Sequence, residues 1–146
     1  MRLFLDSSVV LAACGRPTGA SRYVFHLAPR MGWTLLTSAY VVKEVEKNLS
    51  LRLPASAMSE WQQLNPTLQR VADVVTFSWP TLMGAAKDRP VLFTAVAFSD
   101  LLLTLDRADF GGLMHSGFYG LQILTPGEFL RRERAAGRLP AHDALR

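Results

Sequence analysis

The chain holds a single cysteine, Cys14, in 146 residues, which rules out an internal disulfide framework and offers no thiolate cluster to a metal. Cys14 lies in the apolar run VVLAACG and reads as a small buried residue; such sparing use implies a reducing, cytoplasmic setting. No stretch reaches the roughly 18 consecutive apolar residues of a membrane span. Asp6 interrupts the apolar start MRLFLDSS too early for a secretory leader. Chemistry-bearing signatures are missing too. There is no Gly-x-Ser-x-Gly elbow, no phosphate-binding loop and no dinucleotide glycine pattern. None of the three histidines has a partner at metal-ligand spacing, and His26, on a helical pattern, reads as packing or surface. The expectation is a soluble cytoplasmic protein with no membrane association.

What is present is an ordinary globular composition, 49% hydrophobic and 19% charged, with a net charge of +4 and a pI near 9.7. The modest positive excess is compatible with nucleic acid as a partner without requiring it. Apolar runs alternate with helical patterns. Strands are expected at RLFLD (2–6), WTLLTS (33–38), VVTFS (74–78), LLLTLD (101–106) and LQILT (121–125). Helical patterns lie between them in SRYVFHLAPRMG, AYVVKEVEKNLSLRL, a segment around MSEWQQLNPTLQRVA, and RPVLFTAVAFSD. This alternation predicts a three-layer α/β/α fold with a central, mostly parallel sheet of about five strands. One domain is expected over residues 1–130, followed by a basic C-terminal tail at 131–146 whose end frays.

Folds of this class bind ligands beyond the carboxyl ends of their strands. Strand one ends at Asp6 and strand four at Asp106, with Asp109 close behind. Asp88 precedes Arg-Pro and an apolar helical run, so it reads as a helix N-cap, a position at that same edge. In SAYVVKEVEKNL, Ser38 marks a helix start and Val41, Val45 and Leu49 a buried stripe. Glu44 and Glu46 flank the stripe on opposite sides, and periodicity does not choose between them. Asp100 and Asp73 read as turn residues; Glu60, Glu128, Glu133 and Asp143 read as surface or capping acids. Trp33, Trp61 and Trp79 are assigned to packing rather than to base stacking.

The order and spacing of Asp6, Glu44, Asp88 and Asp106 resemble the PIN domain family of metal-dependent ribonucleases. Three stretches carry the resemblance: LFLDSSVVLAA, SAYVVKEVEKNL and KDRPVLFTAVAFSDLLLTLDRADF. The last is the most specific, an acid–Arg-Pro–apolar helix–strand–Thr-x-Asp compound. Many members are VapC-like bacterial toxins paired with an antitoxin. The resemblance implies that Asp6, Glu44 rather than Glu46, Asp88 and Asp106 are the catalytic acids, and that with Asp109 as an auxiliary they hold Mg²⁺ or Mn²⁺. It gives Ser7 and Thr104 the role of polar supports. It also implies an RNA substrate, a protein antitoxin and a homodimer, with partner contacts on the helices after strand two, here MSEWQQLNPTLQRVADVV. One departure stands out: Ala85 and Ala86 occupy a place where related sequences often carry a further acid.

Hard divalent cations prefer carboxylate oxygens and keep several waters, so a few converging acids suffice. Such acids repel one another unless a cation is present. Basic residues beside them, Lys43, Lys87, Arg89 and Arg107, suit a phosphate backbone. The function expected is therefore metal-dependent endoribonuclease activity. A PIN-like module that binds RNA or protein without cutting it is the alternative, and a phosphatase is disfavoured because DSS, not Asp-x-Asp, follows strand one.

Overall fold

The computed structural model describes residues 1–74, 89–114 and 116–140. Five strands form one sheet: β1 (Arg2–Leu5), β2 (Thr34–Ser38), β3 (Gln69–Val71), β4 (Leu101–Leu103) and β5 (Gln122–Leu124). Every pairing is parallel and the order is β3-β2-β1-β4-β5. The helices are α1 (Ser7–Gly15), α2 (Ala20–Met31), α3 (Ala39–Arg52), α4 (Ser56–Leu64), α5 (Arg89–Phe98), α6 (Arg107–Met114) and α7 (Pro126–Ala135).

Burial explains the strand sequences. Leu3, Phe4 and Leu5 of central β1 are wholly buried, as are Leu102 and Leu103 of β4, because helices cover both faces of the sheet. The edge strands are more polar: Gln69, Arg70 and Gln122 are exposed, which discourages further strand pairing. The chain winds from β1 outward to β3, then returns past β1 to β4 and β5. α1 packs against α2, α3 and α4, while α5 packs against β1 and β4. The reversal falls between β1 and β4, which is where a crevice opens in folds of this kind.

Local chemistry fixes the helix starts. Ser38 caps α3 by accepting from the Val41 N–H, and Val41, Val45 and Leu49 form the buried stripe expected from their spacing. Thr125 and Glu128 form a reciprocal capping box on α7, with Pro126 in its first turn. α7 packs on α2, and Trp33 meets Phe129 edge-on with ring centroids 4.9 Å apart. Trp61 is likewise buried, while Trp79 lies outside the described residues.

Several expectations are corrected. The third strand is Gln69–Val71, inside a segment read as helical, because Pro66 follows α4 in a single 3-10 turn and the chain then extends along β2. Of the expected strand 74–78 only Val74 is described, and it belongs to no strand. β4 stops at Leu103 rather than Asp106, and Leu105 is 44% exposed. Glu133 is no surface acid: it is 1% exposed, and its Oε2 accepts from Arg138 Nε.

Candidate active site

β1 and β4 end level with each other, since Leu5 pairs with Leu103. The next peptide continues the ladder, with Asp6 N–H donating to the Leu103 carbonyl at 3.0 Å. Asp6 and Thr104 thus emerge side by side at the switch point. Asp6 is only 4% exposed and its carboxylate is held from three directions. Oδ1 accepts from the Ser7 N–H at 2.8 Å; Oδ2 accepts from the Ser8 hydroxyl at 2.9 Å and from the Thr104 hydroxyl at 2.8 Å. Each supporting hydroxyl is itself anchored. Ser8 Oγ accepts from the Leu105 N–H at 3.1 Å, and Thr104 Oγ1 from the Asp106 N–H at 3.0 Å. These bonds tie the start of α1, which Asp6 caps, to the loop after β4.

Burial pushes the Asp6 carboxyl above its ordinary range; the bonds from Thr104, Ser8 and Ser7 pull it back, and the charge of Glu44 pushes it up again. Three hydrogen bonds leave Asp6 with about one of its roughly four acceptor sites, on Oδ1, free for a ligand.

Glu44 comes from α3, half-buried, and its Oε2 accepts from the Ser7 hydroxyl at 2.9 Å. Glu46, on the other flank, is exposed. Asp106 caps α6, its Oδ1 accepting from the Asp109 N–H at 3.0 Å. Asp6, Glu44 and Asp106 line one cleft of about 220 Å³ with Ser7, Ser8, Leu11, Asn48 and Arg52. Asp109 does not line it. Asp88, Lys87 and the Arg89 side chain lie outside the described residues. Lys43 is exposed and absent from the cleft wall. Arg107 turns away: it faces Glu128 at 3.5 Å and lines a different cleft.

Sequence reasoning missed three contributors. Ser8 is one of the two hydroxyls on Asp6 Oδ2. Asn48 and Arg52 follow Glu44 at successive four-residue steps on α3, so helical periodicity was the signal that could have placed all three on one face. Asn48 anchors itself by donating from Nδ2 to the Glu44 carbonyl at 2.8 Å.

Among the described residues no group of three or more His, Cys, Asp or Glu side chains is arranged to hold one metal ion directly. The donors facing the cleft are nevertheless hard oxygens, and most of Asp6 is already committed to hydrogen bonds. That set fits a small divalent cation retaining much of its water, bound by one or two carboxylates and reached by the others through water. No described helix is long and apolar enough to cross a membrane.

No protein-family model matches the chain, and no curated protein matches it. Among solved structures it is similar to a chain in the crystal structure of VapBC2 from Rickettsia felis bound to a DNA fragment from their promoter. The TM-score is 0.61 at 13% sequence identity, covering 84% of this chain and 97% of that one. At that identity the likeness shows a shared fold.

Proposed function

We propose that the chain is a metal-dependent endoribonuclease of PIN type that hydrolyses RNA phosphodiester bonds as the toxin of a bacterial toxin–antitoxin pair. The observation that carries this reading is the meeting of Asp6, Glu44 and Asp106, from three separate parts of the chain, in one cleft at the switch point of a parallel sheet. The fold shared with a chain of VapBC2 supports it, as does the order of the motifs that resemble the family. The resemblance alone assigns Asp88 to the same centre and Asp109 to an auxiliary role.

Held by Asp6 with Glu44 and Asp106, directly or through water, a bound Mg²⁺ or Mn²⁺ would acidify a water and stabilise charge on the phosphoryl group. The protein's own residues set the geometry. Asp6, immobilised by Ser7, Ser8 and Thr104, presents one fixed carboxylate direction to the cleft. Glu44, from α3, and Asp106, at the start of α6, line the same cleft and orient water toward the scissile phosphate. Arg52 is the cationic side chain lining this cleft among the described residues, and its guanidinium suits a non-bridging phosphate oxygen. Partner contacts fall to α3 and α4, where Leu51 and Met58 are exposed; an antitoxin or a second copy of the chain is the proposed occupant.

Cleavage of a panel of structured RNAs with Mg²⁺ or Mn²⁺, with chelator, and with Asp6→Asn tests this. Metal-dependent cutting that falls by about a thousandfold or more in the variant is expected. Cutting that survives chelator, or full activity in Asp6→Asn, overturns the mechanism. Absence of cutting by folded protein favours the catalytically silent binding module.

A further inference from the structure

A second cleft, of about 310 Å³, opens on the other side of the start of α6 and is lined by Arg107, Gly111, Met114, Leu124, Glu128 and Arg132. We infer that it is a nucleotide subsite, holding one flanking nucleotide of a single-stranded RNA whose scissile phosphate lies in the acidic cleft. The inference rests on the nuclease reading above and specifies how the substrate is held.

The walls follow from helix geometry. Arg107, Gly111 and Met114 fall on one face of α6, and Glu128 and Arg132 are one turn apart on α7. Leu124 of β5 completes the lining. The volume lies in the range of small-ligand sites. Two guanidiniums reach it. The Arg107 side chain is 65% exposed and makes a long 3.5 Å contact with Glu128 Oε1. Arg132 donates through one terminal nitrogen to Gln122 Oε1, which leaves other N–H groups of its fork available.

The acid in the cleft is already engaged. Glu128 Oε2 accepts from the Thr125 N–H at 3.0 Å, and that backbone bond, ahead of its other interactions, holds the carboxyl below its ordinary range. Two arginines against one carboxylate leave a net positive site, suited to a phosphate. Met114 and Leu124, both half-buried, offer an apolar surface to a base.

Gly111 lines this cleft without a side chain. Glycine is unfavourable inside a helix, yet a Cβ built here meets nothing within 4 Å, so packing does not demand its absence. The missing side chain leaves a hollow in a wall shared with two guanidiniums. Adjacency completes the argument: Asp106 lines the acidic cleft and Arg107, the next residue, lines this one. The two clefts therefore share the start of α6.

The test compares wild type, Gly111→Leu, Arg132→Ala and Gly112→Leu. Gly112 is the control, since it lies on the same helix, is exposed, has equal room for a side chain and does not line the cleft. Affinity for a short labelled single-stranded RNA is measured in chelator across a salt series, and cleavage separately with Mg²⁺ or Mn²⁺. Gly111→Leu and Arg132→Ala are expected to weaken binding by about fivefold or more, with Gly112→Leu unchanged. Arg132→Ala is also expected to flatten the log–log salt slope by about 0.7, the share of one phosphate contact on a single strand. Equal affinity in all four proteins overturns the subsite while leaving the nuclease reading intact if cleavage persists. Loss of binding in Gly111→Leu without cleavage by wild type upholds a nucleotide site in this cleft but overturns the nuclease reading and the scissile phosphate placed beside it. Wild-type protein that holds an acidic peptide but no RNA overturns the nucleotide assignment.

Discussion

The two clefts beside the start of α6 are built in opposite ways. In the acidic cleft, Asp6 is buried and locked by three hydrogen bonds, two from the first turn of α1 and one from Thr104 after β4. In the arginine cleft, the guanidinium of Arg107 stands mostly in solvent and makes one long contact. On the proposed reading, the difference separates two tasks. Positioning a reacting group demands rigidity, which buried and fully satisfied polar networks provide. Receiving a variable strand tolerates exposed cations, which attract phosphate without fixing sequence.

Substitutions can break that contrast in order of effect. Glu44→Gln keeps an oxygen for the Ser7 hydroxyl but loses the charge, so cleavage is expected to fall by roughly a hundredfold or more with the unfolding midpoint nearly unchanged. Parallel RNA-cleavage and urea-unfolding assays check this; a large loss of stability would mean that Glu44 is structural. Thr104→Val strips a fully buried hydroxyl that both donates to Asp6 and accepts from the Asp106 N–H. It should destabilise the fold by about 1–3 kcal/mol in urea and lower activity as well.

On the arginine side the effects are smaller. Glu128→Ala removes half of the capping box on α7, at a cost of about 1 kcal/mol near neutral pH. Because the folded-state pKa of Glu128 is lowered, its stabilisation is present above the ordinary glutamate value and fades as pH falls through the lowered one. Wild type and variant should therefore converge in acid, and a gap that persists at low pH would count against the carboxylate's part. Arg107→Ala should shift stability by less than about 0.5 kcal/mol, because the ion pair it loses is exposed and long. If thermal melting shows a larger loss, the arginine cleft is more rigid than its exposure indicates.

Much of this design was legible in the chain. The unbroken apolar runs of β1 and β4 announced strands covered on both faces, and Ser38 with Val41, Val45 and Leu49 announced α3 and its inward stripe. Asp6 and Asp106 could be placed near strand ends from those runs. Local pattern failed where neighbours decided the outcome. Gln69–Val71 carries no strand signature of its own and extends because β2 offers an unpaired edge. Glu133 has a surface composition around it and is buried with Arg138 bonded to it.

The sequence alone therefore determined that β1 and β4 are buried, that α3 begins after Ser38, and that Asp6 and Asp106 stand near the ends of strands. These follow from side-chain period and capping chemistry within a few residues. Tertiary structure alone decided which of those groups meet. The Thr104–Asp6 bond joins residues 98 positions apart, and it exists because the sheet order sets β4 beside β1. The same winding brings Glu44 over Ser7 and turns Arg107 into a separate cleft. Contacts between strands distant in the chain depend on how the whole sheet closes, and no local periodicity carries that information.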